Sequence, residues 1–193
     1  MPFQFEPLDL AGAVLVTPRV FPDDRGFFME TYKHSEFAAA GIDEPFVQEN
    51  VSQSTRGVIR GLHFQTGPHA QGKLVQALAG EIFDVFVDIR PESPAFGQWR
   101  GVSLSAESKQ MLFVPSWCAH GFCVLSDRAQ VGYKVTREYA PDAEGGLIWN
   151  DPEVGIEWPV GNPILAPRDE AWPTLAELSR GLGRIREGAK SHA

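Results

Sequence analysis

The stretch from Arg56 to Lys73 concentrates side chains that could do acid–base chemistry on an anionic substrate. His63 lies in a β-like run over residues 58–65, which Gly67-Pro68 ends. A histidine on a rigid strand with cations nearby suits a general base. The alternative is a buried histidine satisfied by the backbone, with arginines on a solvated edge. Taken alone, this stretch favours that alternative, since many histidines have no part in chemistry.

The composition predicts one compact domain over residues 1–193, because 193 residues with 43% hydrophobic side chains can bury a sizeable core. A net charge of −8 disfavours a nucleic-acid duplex or an anionic membrane as partner. A small anionic molecule remains compatible, since a few local cations can make a positive pocket. No apolar run approaches the ~20 residues that span a bilayer. The N-terminus has no signal-peptide pattern, and two cysteines fit a reducing cytoplasm.

Fifteen prolines and nineteen glycines favour short strands joined by turns over an all-helical protein. About ten strand-like segments predict a β-sandwich, jelly roll or small barrel: 13–21, 27–32, 46–53, 58–65, 73–79, 82–90, 99–104, 111–114, 119–125 and 129–135. Residues 23–26 between the first two predict a turn, and Gly145-Gly146 is expected in turn-rich sequence.

Two short helices are expected at the periphery. The first covers Ser35 to Ala40, with Ser35 as its cap and Gly41 at its end. The second is a C-terminal helical tail, about 174–188, that begins with the capping-box spacing of Thr174 and Glu177. Its apolar stripe comprises Leu175, Leu178, Leu182 and Ile185.

Parity along the strands leaves several roles open. Asp84 and Asp88 share one face of their strand, which indicates either a polar lumen or a solvent face. Tyr133 lies among Val131 and Val135 and could be an ordinary core tyrosine. Arg60 and His63 would face opposite sides unless their strand begins after Arg60.

A series of motifs in one order carries a family resemblance. They include DDRGFFMETY (23–32), FVQENVSQS (46–54), RGLHFQ (60–65), QGKLVQALAGEIFDVFVDIR (71–90), VPSWCAHGFCVLSD (114–127) and RDEAWP (168–173). Over roughly residues 5–175 the sequence resembles the dTDP-4-dehydrorhamnose 3,5-epimerases of deoxysugar biosynthesis. The resemblance implies a mainly β, cupin-type jelly-roll β-sandwich that forms a homodimer and needs no metal or organic cofactor.

The resemblance also implies roles for single residues. His63 matches the catalytic base, Asp169 its carboxylate partner and Tyr133 the general acid. Lys73 matches a catalytic cation that also contacts the substrate. Matches to substrate-binding positions are Arg25, Phe28, Glu30, Gln48, Asn50, Arg60, His120 and Glu144. Arg168 stands where the family commonly has lysine, which keeps the charge but changes its reach.

The implied substrate is a dTDP-linked 4-keto-6-deoxyhexose, and the implied reaction makes the chain an isomerase. C3 and C5 both flank the ketone, so loss of a proton from either carbon gives an enolate with charge on the C4 oxygen. Such chemistry needs a base near neutral pKa, a donor facing that oxygen and a proton source on the opposite face. Epimerisation at both carbons would convert dTDP-4-dehydro-6-deoxy-D-glucose to dTDP-4-dehydro-L-rhamnose.

Three alternatives remain at this stage. The chain could be a mono-epimerase that inverts only C3 or only C5, or a non-catalytic jelly roll that binds sugar nucleotides. A metal-dependent cupin enzyme would need clustered ligands, and the spacing of His63 and His69 across Gly67-Pro68 does not favour one. Cys118, His120 and Cys123 could be imagined as a metal site, but two small buried thiols are the better interpretation.

Overall fold

A computed structural model of the chain describes residues 1–180, in which two antiparallel β-sheets form a sandwich. The strands are β1 (Phe3–Pro7), β2 (Val14–Pro18), β3 (Val20–Asp23), β4 (Gly26–Met29), β5 (Gln48–Thr55), β6 (Ile59–Gln65), β7 (Lys73–Ala79), β8 (Glu81–Asp88), β9 (Trp99–Ser105), β10 (Met111–Val114), β11 (Cys118–Val124), β12 (Arg128–Val135) and β13 (Glu144–Gly146). One sheet has the order β1-β2-β10-β7-β12-β5 and the other β13-β6-β11-β8-β9. Strands β3 and β4 form a separate hairpin.

The main core lies between the two sheets. Val75 and Val131 from the six-stranded sheet pack with Phe86, Leu104 and Val124 from the five-stranded sheet, and all five are buried. Apolar side chains at every second position explain why these segments fold as strands with one face in this core. The sequence prediction of a mainly β sandwich is therefore confirmed.

A second core covers the outer face of the five-stranded sheet. Val85 and Val87 on β8 pack beneath Leu147, Val154 and Leu175 from the C-terminal part of the chain. Strand β8 is thus buried on both faces, which explains why apolar residues occupy both parities of its sequence. The aspartates of β8 are also buried, so the solvent-face interpretation of Asp84 and Asp88 was wrong.

The first helix, α1 (His34–Ala39), begins one residue before the prediction. Ser35 lies inside it, and the N-cap is Lys33, for which the described residues provide no side-chain cap. Gly41 ends the helix as expected, with φ of +86° and its N–H donating to the carbonyl of Ala38 at 3.0 Å. Phe37 anchors the helix in a third apolar cluster with Phe3 and Val16 of the six-stranded sheet.

The C-terminal helix begins as the sequence predicts. Residues 175–180 are helical, and the Thr174 N–H donates to the Glu177 carboxylate at 2.9 Å. The Glu177 N–H donates in return to the Thr174 hydroxyl at 3.3 Å, which completes the capping box. Leu175 is buried, whereas Leu182 and Ile185 lie outside the described residues. No helix in residues 1–180 is long and apolar enough to cross a membrane.

Two strands were missed by the sequence analysis. Strand β1 pairs with β2 at the edge of the larger sheet. Strand β13 was expected to be turn, but its three residues pair with β6 and place Gly146 opposite His63. Three residues carry too little periodicity to indicate a strand, and only the pairing with β6 defines this one.

Candidate active site

A cavity of about 600 Å³ opens between the two sheets, a size typical of small-molecule sites. Both sheets and the loop before the C-terminal helix contribute to its wall. The sequence-predicted residues that line it are Gln48, Asn50, Arg60, His63, Lys73, His120, Tyr133, Glu144, Arg168 and Asp169. Ten residues from seven separate segments, six strands and one loop, therefore meet in one place.

The centre of the site is a hydrogen bond between His63 Nε2 and Asp169 Oδ1 at 2.7 Å. The Asp169 side chain is only 4% exposed, and that of His63 is 24% exposed towards the cavity. Burial raises the pKa of Asp169, but hydrogen bonds from His63, the Gly61 N–H and Trp172 outweigh it and hold the pKa below its usual value. The carboxylate is therefore ionised, which places a proton on Nε2 and leaves Nδ1 as the nitrogen that can accept another.

A tight turn presents Asp169 to His63 across 106 residues of sequence. The turn is closed by backbone bonds from Asp169 and Glu170 to the Ala166 carbonyl. Just before it, Ile164 pairs in parallel with Val58, and its carbonyl accepts from the Ile59 N–H at 3.0 Å. The start of β6 thus fixes the loop that carries the carboxylate.

Strand β6 contains an irregularity that resolves the parity problem of Arg60 and His63. His63 pairs with His120, but Arg60 pairs with Phe122, so β6 has one more residue than β11 across this interval. The extra residue is a β-bulge that brings Arg60 and His63 to the same side. The strand begins before Arg60, so the alternative of a later start was wrong.

Tyr133 stands on β12, in the sheet opposite His63. Burial raises the pKa of its phenol above the usual 10.0, and Glu144 acts in the same direction, while Arg60 and Arg168 oppose it. Tyr133 consequently holds its proton at neutral pH. The Tyr133 side chain lines the cavity that His63 also lines.

Lys73 is a buried cation on the floor of the cavity, 7% exposed. Its Nζ donates to the His63 carbonyl at 2.9 Å, so it braces the strand that carries His63. Burial lowers the pKa of Lys73 from 10.5 to about 8, although the nearby Cys118, Asp84 and Glu144 oppose the shift. Lys73 is still mostly protonated at neutral pH and can face a developing negative charge.

His120 and Asp84 form a second histidine–carboxylate pair beside the first. His120 Nε2 lies 2.9 Å and 3.1 Å from the two Asp84 oxygens, and Asp84 is fully buried. His120 is the cross-strand partner of His63, so the two imidazoles occupy adjacent positions. The parity of Asp84 on β8 was compatible with a polar lumen, but no pattern paired it with His120.

A polar bridge spans one side of the cavity. Glu144 accepts from the Tyr139 hydroxyl at 3.0 Å and from Arg168 at 3.1 Å. Next to it, the Gln48 amide donates to Asn50 and accepts from the Tyr139 N–H. Tyr139 was not predicted, since a tyrosine that follows a strand carries no periodic signal.

Three predicted binding residues lie elsewhere in the chain. Arg25 and Phe28 are on the β3–β4 hairpin, and Glu30 follows it. Arg25 pairs with Asp23 at 2.5 Å, and Phe28 is 65% exposed. None of the three lines the cavity of its own chain.

Residues 1–180 contain no group of three or more His, Cys, Asp or Glu side chains that could hold a metal ion. His63 and His120 are each committed to a single carboxylate. Cys118 and Cys123 are buried, and burial raises the pKa of their thiols to about 12 and about 11.

Comparison with known proteins identifies the family. A model of the dTDP-4-dehydrorhamnose 3,5-epimerase family matches residues 7–177. The chain belongs to this family. It is 51% identical to the dTDP-4-dehydrorhamnose 3,5-epimerase of Shigella flexneri over 162 residues, which cover 83% of this chain and 90% of the relative.

Solved structures of this family share the fold. The epimerase RmlC of Legionella pneumophila in complex with dTDP-4-keto-L-rhamnose has a TM-score of 0.87 at 43% identity, covering 91% of this chain and 96% of that one. The 3′-monoepimerase ChmJ of Streptomyces bikiniensis in complex with dTDP-quinovose has a TM-score of 0.86 at 37% identity, covering 92% and 90%. The cupin-type jelly roll is thus the fold of the family, and members of it are isomerases.

Because Lys73 is a buried cation in the cavity, it should lower the stability of the folded protein. Lys73→Met should raise the free energy of unfolding at pH 7 by up to about 3 kcal/mol, because the folded state holds a desolvated charge. The pKa is about 8 folded and 10.5 in the free side chain, so between these values the unfolded state binds more protons and wild-type stability rises with pH. The difference in unfolding free energy between Lys73→Met and wild type should be greatest below pH 8 and shrink towards pH 10.5. Urea unfolding at several pH values measures it, and a constant or growing advantage would contradict the assignment.

Proposed function

We propose that this chain epimerises both C3 and C5 of dTDP-4-dehydro-6-deoxy-D-glucose and releases dTDP-4-dehydro-L-rhamnose. The observation that carries the proposal is the placement of His63 and Tyr133 on opposite sheets across one cavity. Inversion of a carbon requires a proton to leave one face and another to arrive on the opposite face. A base and an acid on facing walls meet that requirement.

Each residue has a defined task in the proposed reaction. His63, through Nδ1, removes the proton next to the ketone, while Asp169 stabilises the imidazolium that forms. Charge moves to the C4 oxygen, where Lys73 and His120 supply cationic or N–H partners; a well-placed donor contributes about 3–4 kcal/mol. Tyr133 gives its proton to the opposite face and is then reprotonated by solvent. Arg60 and Arg168 provide guanidinium groups for the diphosphate.

Inversion at a single carbon is the second candidate, since the 3′-monoepimerase ChmJ has the same fold. The identities favour double inversion: 51% to the 3,5-epimerase of Shigella flexneri, against 40% to the 3-epimerase of Streptomyces niveus and 37% to ChmJ. The same base and acid would serve either outcome, so the number of inverted carbons depends on how the ring is held.

The proposed assembly is a homodimer in which each copy completes the site of the other. Large apolar side chains are exposed both on the β3–β4 hairpin and on the six-stranded sheet, namely Phe21, Phe27, Phe28, Val51 and Leu78. Exposed apolar side chains of this size favour self-association. In such a dimer the hairpin of one copy would bring Arg25, Phe28 and Glu30 to the cavity of the other, which explains why they lie outside their own.

We place the reaction in the cytoplasm. Both cysteines are free thiols in the core, and neither is in a disulfide. A protein that functions with free thiols fits a reducing compartment.

The roles of base and acid separate in an isotope experiment with Tyr133→Phe. Wild-type protein with dTDP-4-dehydro-6-deoxy-D-glucose in D₂O should incorporate deuterium at C3 and C5 with inversion at both, as followed by NMR. In Tyr133→Phe the base is intact, so the enolate still forms and His63 can return a solvent deuteron to the original face. We expect exchange with retained configuration, most clearly at C5. Normal inversion at both carbons would remove Tyr133 from the reaction, and inversion of one carbon by wild type would favour the second candidate.

The shared site predicts complementation between two inactive variants. His63→Asn lacks the base, and Arg25→Ala/Phe28→Ala lacks the hairpin groups. Co-expression should form mixed dimers. In these the intact hairpin of the His63→Asn copy reaches the cavity of the copy that retains His63, so turnover should exceed that of either variant alone. Activity equal to the average of the two separate preparations would show that each hairpin does not serve its partner.

A further inference from the structure

Trp172 touches both members of the His63–Asp169 pair from outside the cavity. Its indole Nε1–H donates to Asp169 Oδ1 at 3.3 Å, the same oxygen that bonds His63. Its ring meets the His63 ring edge to face, with centroids 6.0 Å apart and planes at 73°. Since Trp172 is not part of the cavity lining, it has no direct access to a bound substrate.

The indole of Trp172 can lie against β13 only because residue 146 is glycine. Gly146 on β13 is the cross-strand partner of His63. A Cβ built on Gly146 would lie 2.2 Å from Trp172 Cδ2 and 2.4 Å from Cε2, which no side chain tolerates. Any larger residue would therefore displace the indole from the position where it reaches both ring and carboxylate.

We propose that Trp172, seated on Gly146, is a positioning residue that holds the His63–Asp169 pair in its productive geometry. The inference rests on the proposed function, because it concerns how the base of that reaction is held. The indole N–H of Trp172 holds Oδ1 of Asp169, and the backbone N–H of Gly61 donates to Oδ2 at 3.3 Å. With both oxygens held, the contact between the two rings sets the angle of the imidazole.

The indole also sets how strongly the carboxylate attracts the proton on His63. Two donors share Oδ1, so the Trp172 N–H withdraws part of its negative charge from His63. Removing that N–H leaves a stronger acceptor and stabilises the imidazolium. The other ionisable groups facing the pair, whose charges a variant of Trp172 leaves in place, are Arg168, Lys73, His120, Tyr133 and Glu144.

The test compares Trp172→Phe with a matched tryptophan elsewhere. Trp172→Phe keeps an aromatic ring but removes the N–H together with the five-membered ring that carries it, as the control does, so kcat should fall about tenfold, as for one hydrogen bond to a charged group. The acidic limb of the kcat/KM profile should shift to higher pH. Affinity for dTDP should stay unchanged. In the control Trp158→Phe, the lost N–H had donated to the Trp149 carbonyl at 2.7 Å, so stability should fall without a shift of the limb.

Two further variants decide between positioning and simple packing. Gly146→Ala should reduce kcat in the same direction as Trp172→Phe, although the N–H is still present, because the indole is displaced. In an Asp169→Asn background, Trp172→Phe should add little, since the charge it acts on is gone. Full kcat with an unmoved limb in Trp172→Phe, or the same loss with and without the Asp169 charge, would overturn the inference. A wild-type protein without turnover would instead overturn the proposed function.

Discussion

The structure of the site depends on one buried hydrogen bond, between His63 and Asp169 at 2.7 Å. An ionised carboxylate that is 4% exposed is stable only where donors surround it. Here the donors come from three places: the imidazole, the backbone of the bulged strand β6, and an indole three residues along the chain. The loop after Ile164, the bulge and the seat on Gly146 therefore all serve to bring donors to a single side chain.

The same constraint explains how an acidic protein presents cations to an anionic substrate. Arg60 donates to the Ser54 hydroxyl at 2.9 Å and Lys73 to the His63 carbonyl, and within residues 1–180 neither forms an ion pair with a carboxylate. Their charge is therefore available inside the cavity, while most of the net charge of −8 lies elsewhere. Strand β5 has polar side chains on the face that lines the cavity, and one of them, Ser54, accepts the hydrogen bond from Arg60.

The sequence predicted the strands that carry the site, because β6, β7, β8 and β12 have clear apolar patterns. The local setting of His63 indicated it as a possible base. The roles of Asp169, Tyr133 and Lys73, and the pairing of His63 with Asp169, came only through the family resemblance, since no local pattern links residues 106 positions apart. The bulge in β6, the short strand β13 and the role of Trp172 were missed because each depends on pairing between distant segments. Arg25, Phe28 and Glu30 were predicted to bind substrate, and within one chain they do not reach the cavity. Their role stays a prediction about a second copy.

In the proposed reaction His63 removes the protons at both C3 and C5. The most direct measurement is deuterium incorporation at C3 and C5 of the ketosugar by His63→Asn in D₂O, with dTDP affinity as the check that the cavity is intact. We expect the affinity for dTDP to persist and exchange at both carbons to fall by at least ~10²-fold, the usual contribution of a positioned base. Exchange at the wild-type rate at either carbon would contradict this role of His63, because another group would then be the base for that carbon.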